Sequence, residues 1–124
     1  MLFLCYPKCS TCRKAQNWLE EQALLYTLRD IKEENPSLKE LRLWHSRSGL
    51  PLKKFFNTSG LQYKALGLKD RLPAMSEEEQ LTLLASDGML VKRPILVTEQ
   101  TVLVGFRQEE WEELREKTEK EKGI

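Results

Sequence analysis

The chain has 124 residues, 40% of them hydrophobic and 31% charged, which suits one domain over 1–124 with its own core and excludes a disordered chain. A net charge of +1 offers no field to attract nucleic acid or an acidic membrane surface. No apolar run approaches the roughly 20 residues of a membrane span, and the opening Met1-Leu2-Phe3-Leu4-Cys5 is too short for a signal peptide, so the expected location is cytoplasmic.

Residues 2–6 read as a buried strand ended by Pro7. Helical periodicity follows, with Cys12, Ala15, Trp18 and Leu19 on one face. Leu24 to Leu28 reads as a second strand, giving a β-α-β unit long enough for a parallel crossover. Asn35-Pro36 marks a helix start, with Asn35 as N-cap and Pro36 at the first helical position. Leu38, Leu41 and Trp44 share its face until Gly49. Short helices are expected over Leu50–Phe56 and Leu61–Leu66, punctuated by Asn57-Thr58-Ser59-Gly60 and Gly67. Ser76 and Glu79 form a capping box for a helix through Leu81 and Leu84, closed near Gly88. Strands return at 95–97 and 102–104, before a last helix over about 108–120 that buries Trp111 and Leu114. Residues 116–123 are expected to fray. The resulting order is β-α-β, a helical insertion over about 35–88, then β-β-α. Without the insertion this is the thioredoxin-like α/β core.

Three cysteines fit poorly with a secreted disulfide framework and suggest redox or metal chemistry in a reducing compartment. Cys9-Ser10-Thr11-Cys12 lies where the first strand hands over to the first helix. The i, i+3 spacing puts both sulfurs on one face of one turn, close enough for a disulfide. Unpaired N–H groups and the positive end of the helix dipole favour a thiolate at Cys9, and Lys8, Arg13 and Lys14 add positive charge. Cys9 is then the attacking sulfur and Cys12, deeper in the helix, the resolving one. A zinc site would need four ligands, which only Cys5 and His45 could complete. No metal is expected, and Cys5 reads as a core residue.

Val91-Lys92-Arg93-Pro94 precedes the third strand. Pro94 cannot donate to a ladder and so takes the strand's first position. One reading is an ordinary strand start with two solvated bases. The other is a cis Pro94 that sets Arg93 beside the thiolate, its planar fork ready for an acidic group.

Residues 6–15, Tyr-Pro-Lys-Cys-Ser-Thr-Cys-Arg-Lys-Ala, together with Arg93-Pro94 and Val104-Gly105-Phe106, resemble the arsenate reductase/Spx family over nearly the whole chain. The resemblance implies a thioredoxin-like fold, a cis Pro94, and a catalytic cysteine at Cys9. It also implies a substrate site made by Arg93, Asn57, Ser10, Thr11 and Arg13. Electrons would come from glutathione, glutaredoxin or thioredoxin, with no bound cofactor. Of the three oxyanion-holding arginines of the arsenate reductases, Arg93 matches one. Asn57 stands at the second place and Gly105 near the third, with Arg107 displaced, so arsenate reduction is expected to be weak or absent. Asn57-Thr58-Ser59-Gly60 resembles the reductase-like branch. The other branch comprises Spx-type regulators, which carry a C-x-x-C switch and bind RNA polymerase through the C-terminal domain of its α subunit. Gly49 lies near the glycine they use for that contact, although this chain lacks their basic tail. A thiol-dependent reductase is the expected function, with the regulator as alternative.

Overall fold

A computed structural model describes residues 1–122. Strand β1 (Leu2–Cys5) leads into helix α1 (Ser10–Glu21) and strand β2 (Thr27–Asp30). The insertion carries α2 (Leu38–Ser48), α3 (Leu61–Ala65), α4 (Leu68–Arg71) and α5 (Glu77–Ser86), with 3-10 turns at Leu52–Phe55, Leu72–Ala74 and Gly88–Leu90. Strands β3 (Ile95–Val97) and β4 (Val102–Val104) and helix α6 (Gln108–Lys122) complete the chain. The sheet order is β2-β1-β3-β4, with β1 parallel to β2 and the other pairs antiparallel. This is the expected α/β, thioredoxin-like arrangement with its helical insertion.

Strand alternation divides the core between the two faces of the sheet. Phe3 and Cys5, with Leu96 opposite Phe3, pack against Cys12, Ala15, Trp18 and Leu19 of α1 and Trp111 of α6. Leu4, with Ile95 opposite it, faces the insertion and packs with Leu41, Trp44, Phe55, Leu84 and Leu90. Full burial of each such side chain contributes about 1.5–3 kcal/mol. The expected apolar face of α1 is the buried one, residue for residue.

Several boundaries differ from expectation. The second strand is Thr27–Asp30, not 24–28: Ala23 takes φ 54, Leu25 is 90% exposed, and the ladder with β1 begins at Thr27. The N-cap of α2 is Ser37 rather than Asn35, with a reciprocal Ser37–Glu40 capping box. Asn35 instead donates from Nδ2 to the Ala85 carbonyl at 2.6 Å. The Ser76–Glu79 capping box forms as expected. Between Leu50 and Phe56 the helix is a 3-10 turn, and α4 has no counterpart among the expected elements. Helix α6 continues to Lys122 instead of fraying from Glu116, and Gly123 lies outside the described residues.

One tertiary contact matters for the site. Phe56 and Val91 form an isolated antiparallel bridge in a segment with no strand signal of its own. Around it the Asn57 N–H donates to Leu90 O at 2.8 Å and the Lys92 N–H to Phe55 O at 2.7 Å. Residues 55–57 are thereby held against 90–92, next to Arg93.

Candidate active site

Cys9 is the N-cap of α1, in extended conformation with φ −90 and ψ 121. Its N–H donates to Tyr6 O at 2.9 Å and its carbonyl accepts from Arg13 N–H at 3.1 Å, so the backbone around the sulfur is tied at both ends. No side chain caps the helix, which leaves its first N–H groups to the sulfur. Burial pushes the Cys9 thiol up. The Cys12 N–H, the Cys12 thiol, the Arg93 guanidinium and the Thr11 N–H favour its charged form and together bring its pKa below the ordinary thiol value.

The other two sulfurs go the opposite way. Cys12 is 1% exposed, and its Sγ accepts from Tyr6 N–H at 3.3 Å. Burial, only partly offset by that bond, and the neighbouring Cys9 and Cys5 push its pKa up to about 12. Cys5 is raised by burial and then by Asp30. All three cysteines are free, and Cys9 is the only half-exposed one of the three.

The Arg93–Pro94 peptide bond is cis. Arg93 lies with its guanidinium 5.2 Å from the centre of the Tyr6 ring, a cation–π distance, and donates to Met89 O at 3.5 Å. Among the described residues it makes no salt bridge, which leaves its charge available to Cys9 and to a ligand.

A cleft of about 500 Å³ opens beside Cys9 and Thr11. Asn57, Ser59, Gly60, Leu61 and Gln62 from the insertion, and Met89, Lys92 and Arg93, complete its lining. The volume falls in the range of small-molecule sites, roughly 300–1,000 Å³. Of the residues expected to bind substrate, Thr11, Asn57 and Arg93 line the cleft. Ser10 and Arg13 do not. Both are exposed, and Arg13 Nε donates to Pro7 O at 3.3 Å. Arg107 is 80% exposed and paired with Glu110, away from the cleft.

Sequence reasoning missed Ser59, Gly60, Leu61, Gln62, Met89 and Lys92 as cleft residues. Lys92 carried a signal, since it sits beside Arg93. The others are set there by the Phe56–Val91 bridge. Among the described residues no cluster of three or more His, Cys, Asp or Glu side chains is disposed to hold a metal ion, and His45 is occupied with Phe55 and Glu77. No helix among the described residues is long and apolar enough to cross a membrane.

The ArsC family model matches residues 4–114. The chain belongs to the ArsC family. A solved structure of an ArsC-family-related protein from Bacteroides fragilis superimposes with a TM-score of 0.90 at 60% identity, covering 91% of this chain and 95% of that one. The uncharacterized protein YusI of Bacillus subtilis is 53% identical over 91% of this chain and 96% of its own length. The structure of a possible arsenate reductase from Streptococcus mutans shares 51% identity at a TM-score of 0.82, covering 90% of this chain and 96% of that one. Further off, the regulatory protein MgsR of Bacillus subtilis is 29% identical over 94% of this chain and 91% of its own length. Proteins named as reductases and as regulators thus share this family.

Proposed function

We propose that this ArsC-family chain is a cytoplasmic thiol-dependent oxidoreductase, with Cys9 as nucleophile and Cys12 as resolving thiol. The observation that carries the reading is the divergence of the two sulfurs. Cys9 is lowered and faces a cleft that also holds Arg93, while Cys12 is raised and buried behind it. Pairs of titratable groups driven apart by their surroundings mark a division of roles.

The chemistry follows from the geometry. The Cys9 thiolate attacks one sulfur of a disulfide substrate, the substrate S–S bond breaks, and the leaving thiolate takes a proton from water. Cys9 is now in a mixed disulfide and carries no charge. That removes the Cys9 contribution to the high pKa of Cys12, so Cys12 loses its proton more readily than before. Its thiolate attacks Cys9 Sγ, the mixed disulfide breaks, and the second substrate thiol departs. The Cys9–Cys12 disulfide is reduced by two electrons from glutathione, glutaredoxin or thioredoxin. Substrate is held by Arg93, Asn57 and the amides around Thr11. Arsenate is a poor substrate in this reading, because Asn57 and Gly105 supply no charge where a tetrahedral dianion needs it.

A coupled assay tests the proposal: NADPH consumption with a small disulfide and glutaredoxin or thioredoxin as donor. Cys9→Ser should abolish turnover, and Cys12→Ser should accumulate a mixed disulfide on Cys9, visible by mass. A wild-type chain that turns over no disulfide with any of these donors overturns the reading.

A second reading is supported by the relationship to MgsR. As a regulator the chain would bind the C-terminal domain of the RNA polymerase α subunit, with the exposed Gly49 corner at the end of α2 as contact. Gly49 has φ +69 and open space around it. Recovery of polymerase in a pull-down, with no consumption of reductant, would favour this reading.

A further inference from the structure

The cleft holds two cations and no carboxylate: Lys92 and Arg93 line it, and none of its other residues is acidic. Lys92 makes no salt bridge among the described residues. Its backbone is fixed, because its N–H donates to Phe55 O at 2.7 Å. Its side chain lies over Gly105: a Cβ added to that glycine would stand 3.4 Å from the lysine's Cε. Gly105 is itself held on both sides, its N–H donating to Pro94 O at 2.8 Å and its carbonyl accepting from Trp111 Nε1 at 3.2 Å. With φ +77 the position favours glycine, so the surface under the lysine stem stays bare.

We infer that Lys92 is a specificity-determining residue of the cleft, acting with Arg93 to recognise an anionic group on the substrate. The inference rests on the reading of Cys9 as the nucleophile of a thiol-dependent reductase and deepens it by naming a charge requirement. Arg93 is divided between the Cys9 sulfur, the Tyr6 ring and the Met89 carbonyl. Lys92 has no such commitments and is exposed, so its charge is the one free to meet a ligand. The substrate class is an oxidised thiol bearing a carboxylate. An exposed ammonium acts as a point charge on such a group, with little demand on its orientation.

The test uses two disulfide probes on the intact protein, followed by stopped-flow absorbance. One is 5,5′-dithiobis(2-nitrobenzoate), which carries carboxylates; the other is 4,4′-dithiodipyridine, which is neutral. In each reaction the Cys9 thiolate attacks a probe sulfur, the probe S–S bond breaks, and an aryl thiolate leaves. The readout is the ratio of the anionic to the neutral rate constant, which cancels any common change in Cys9 reactivity. Lys92→Met should lower that ratio about fivefold at low salt, the effect of one unit charge at short range in a solvated site. Lys92→Arg should keep it within about twofold of wild type, since the charge is retained. Lys39→Met, on α2 and outside the cleft, should leave it unmoved. A ratio unchanged in Lys92→Met, or lowered equally in Lys39→Met, overturns the inference. Slow reaction of the wild type with both probes would instead overturn the Cys9 reading beneath it.

Discussion

The residue on which most depends is Cys9, and its pH behaviour follows from what touches it. Burial raises its pKa and four donors more than reverse that. The thiolate therefore persists to lower pH than an ordinary thiol with a pKa of 9.0 and is lost as pH falls through the lowered value. Alkylation by iodoacetamide, followed by mass against pH, should show Cys9 reacting with a midpoint below 9.0. Cys12 should stay protected until close to its value of about 12. Arg93→Met removes one donor and a charge, so the Cys9 midpoint should move to higher pH and the neutral-pH rate fall by about fivefold. An unmoved midpoint would mean that the helix amides alone hold the thiolate. The cysteine pair is legible in the sequence because both its spacing and its place before a helix are local. Ser10 and Arg13 fall outside the cleft although they flank Cys9 in sequence, Arg13 being drawn to the Pro7 carbonyl instead. Lys92 lies beside a recognised residue, but its role depends on Gly105, which only the folded chain brings under it.

At the scale of elements, one bidentate pair ties the insertion to strand β2. Arg29 of β2 reaches Glu40 of α2 at 2.7 and 2.9 Å, and also donates to the carbonyls of Glu34 and Asn35. Glu40 is at the same time the N3 residue of the α2 capping box. Its carboxyl is held below 4.5, first by the Arg29 hydrogen bond, against the cost of partial burial. A lowered carboxyl contributes stability that is present above about 4.5 and lost as pH falls through the folded value. Glu40→Gln keeps the cap, which accepts Gln, but removes the charge. It should lower stability by about 1 kcal/mol at pH 7, a modest figure because the pair is partly exposed. The gap to wild type should narrow as pH falls below 4.5 and through the lowered folded value, read as Tm by circular dichroism. A gap that stays constant as the pH falls would show that the loss was steric. The elements themselves are largely legible where burial on one face imposes a period, as in α1, or where a short apolar run is bounded by turns, as in β3 and β4. Strand β2 is not, because it is an edge strand with Leu28 exposed, and the apolar run before it, Leu24 to Tyr26, lies outside the ladder. The start of α2 is displaced from Asn35 because that side chain serves a partner fifty residues away, at Ala85, a demand no local pattern records.

At the scale of the whole molecule, the sheet separates two populations of tryptophan. Trp18 and Trp111 pack edge to face at 6.0 Å on the same side as Cys12, a geometry that adds about 0.5–1.5 kcal/mol beyond burial. Trp44 lies on the opposite side, in the core of the insertion, with Arg29 6.0 Å from its ring centre. Sulfur in a disulfide quenches indole emission by electron transfer over short distances, so the protein carries two optical probes with unequal views of the cysteines. Oxidation of Cys9 and Cys12 should dim the Trp18/Trp111 emission and leave that of Trp44 nearly constant. Trp44→Phe should then retain most of the redox-dependent change in fluorescence, while Trp18→Phe combined with Trp111→Phe should lose most of it. Equal losses in the two variants would mean that oxidation is felt through the sheet. With the predicted pattern, the ratio of the two emissions reports the oxidation state of the thiols, while Trp44 separately reports whether the helical half of the molecule remains folded.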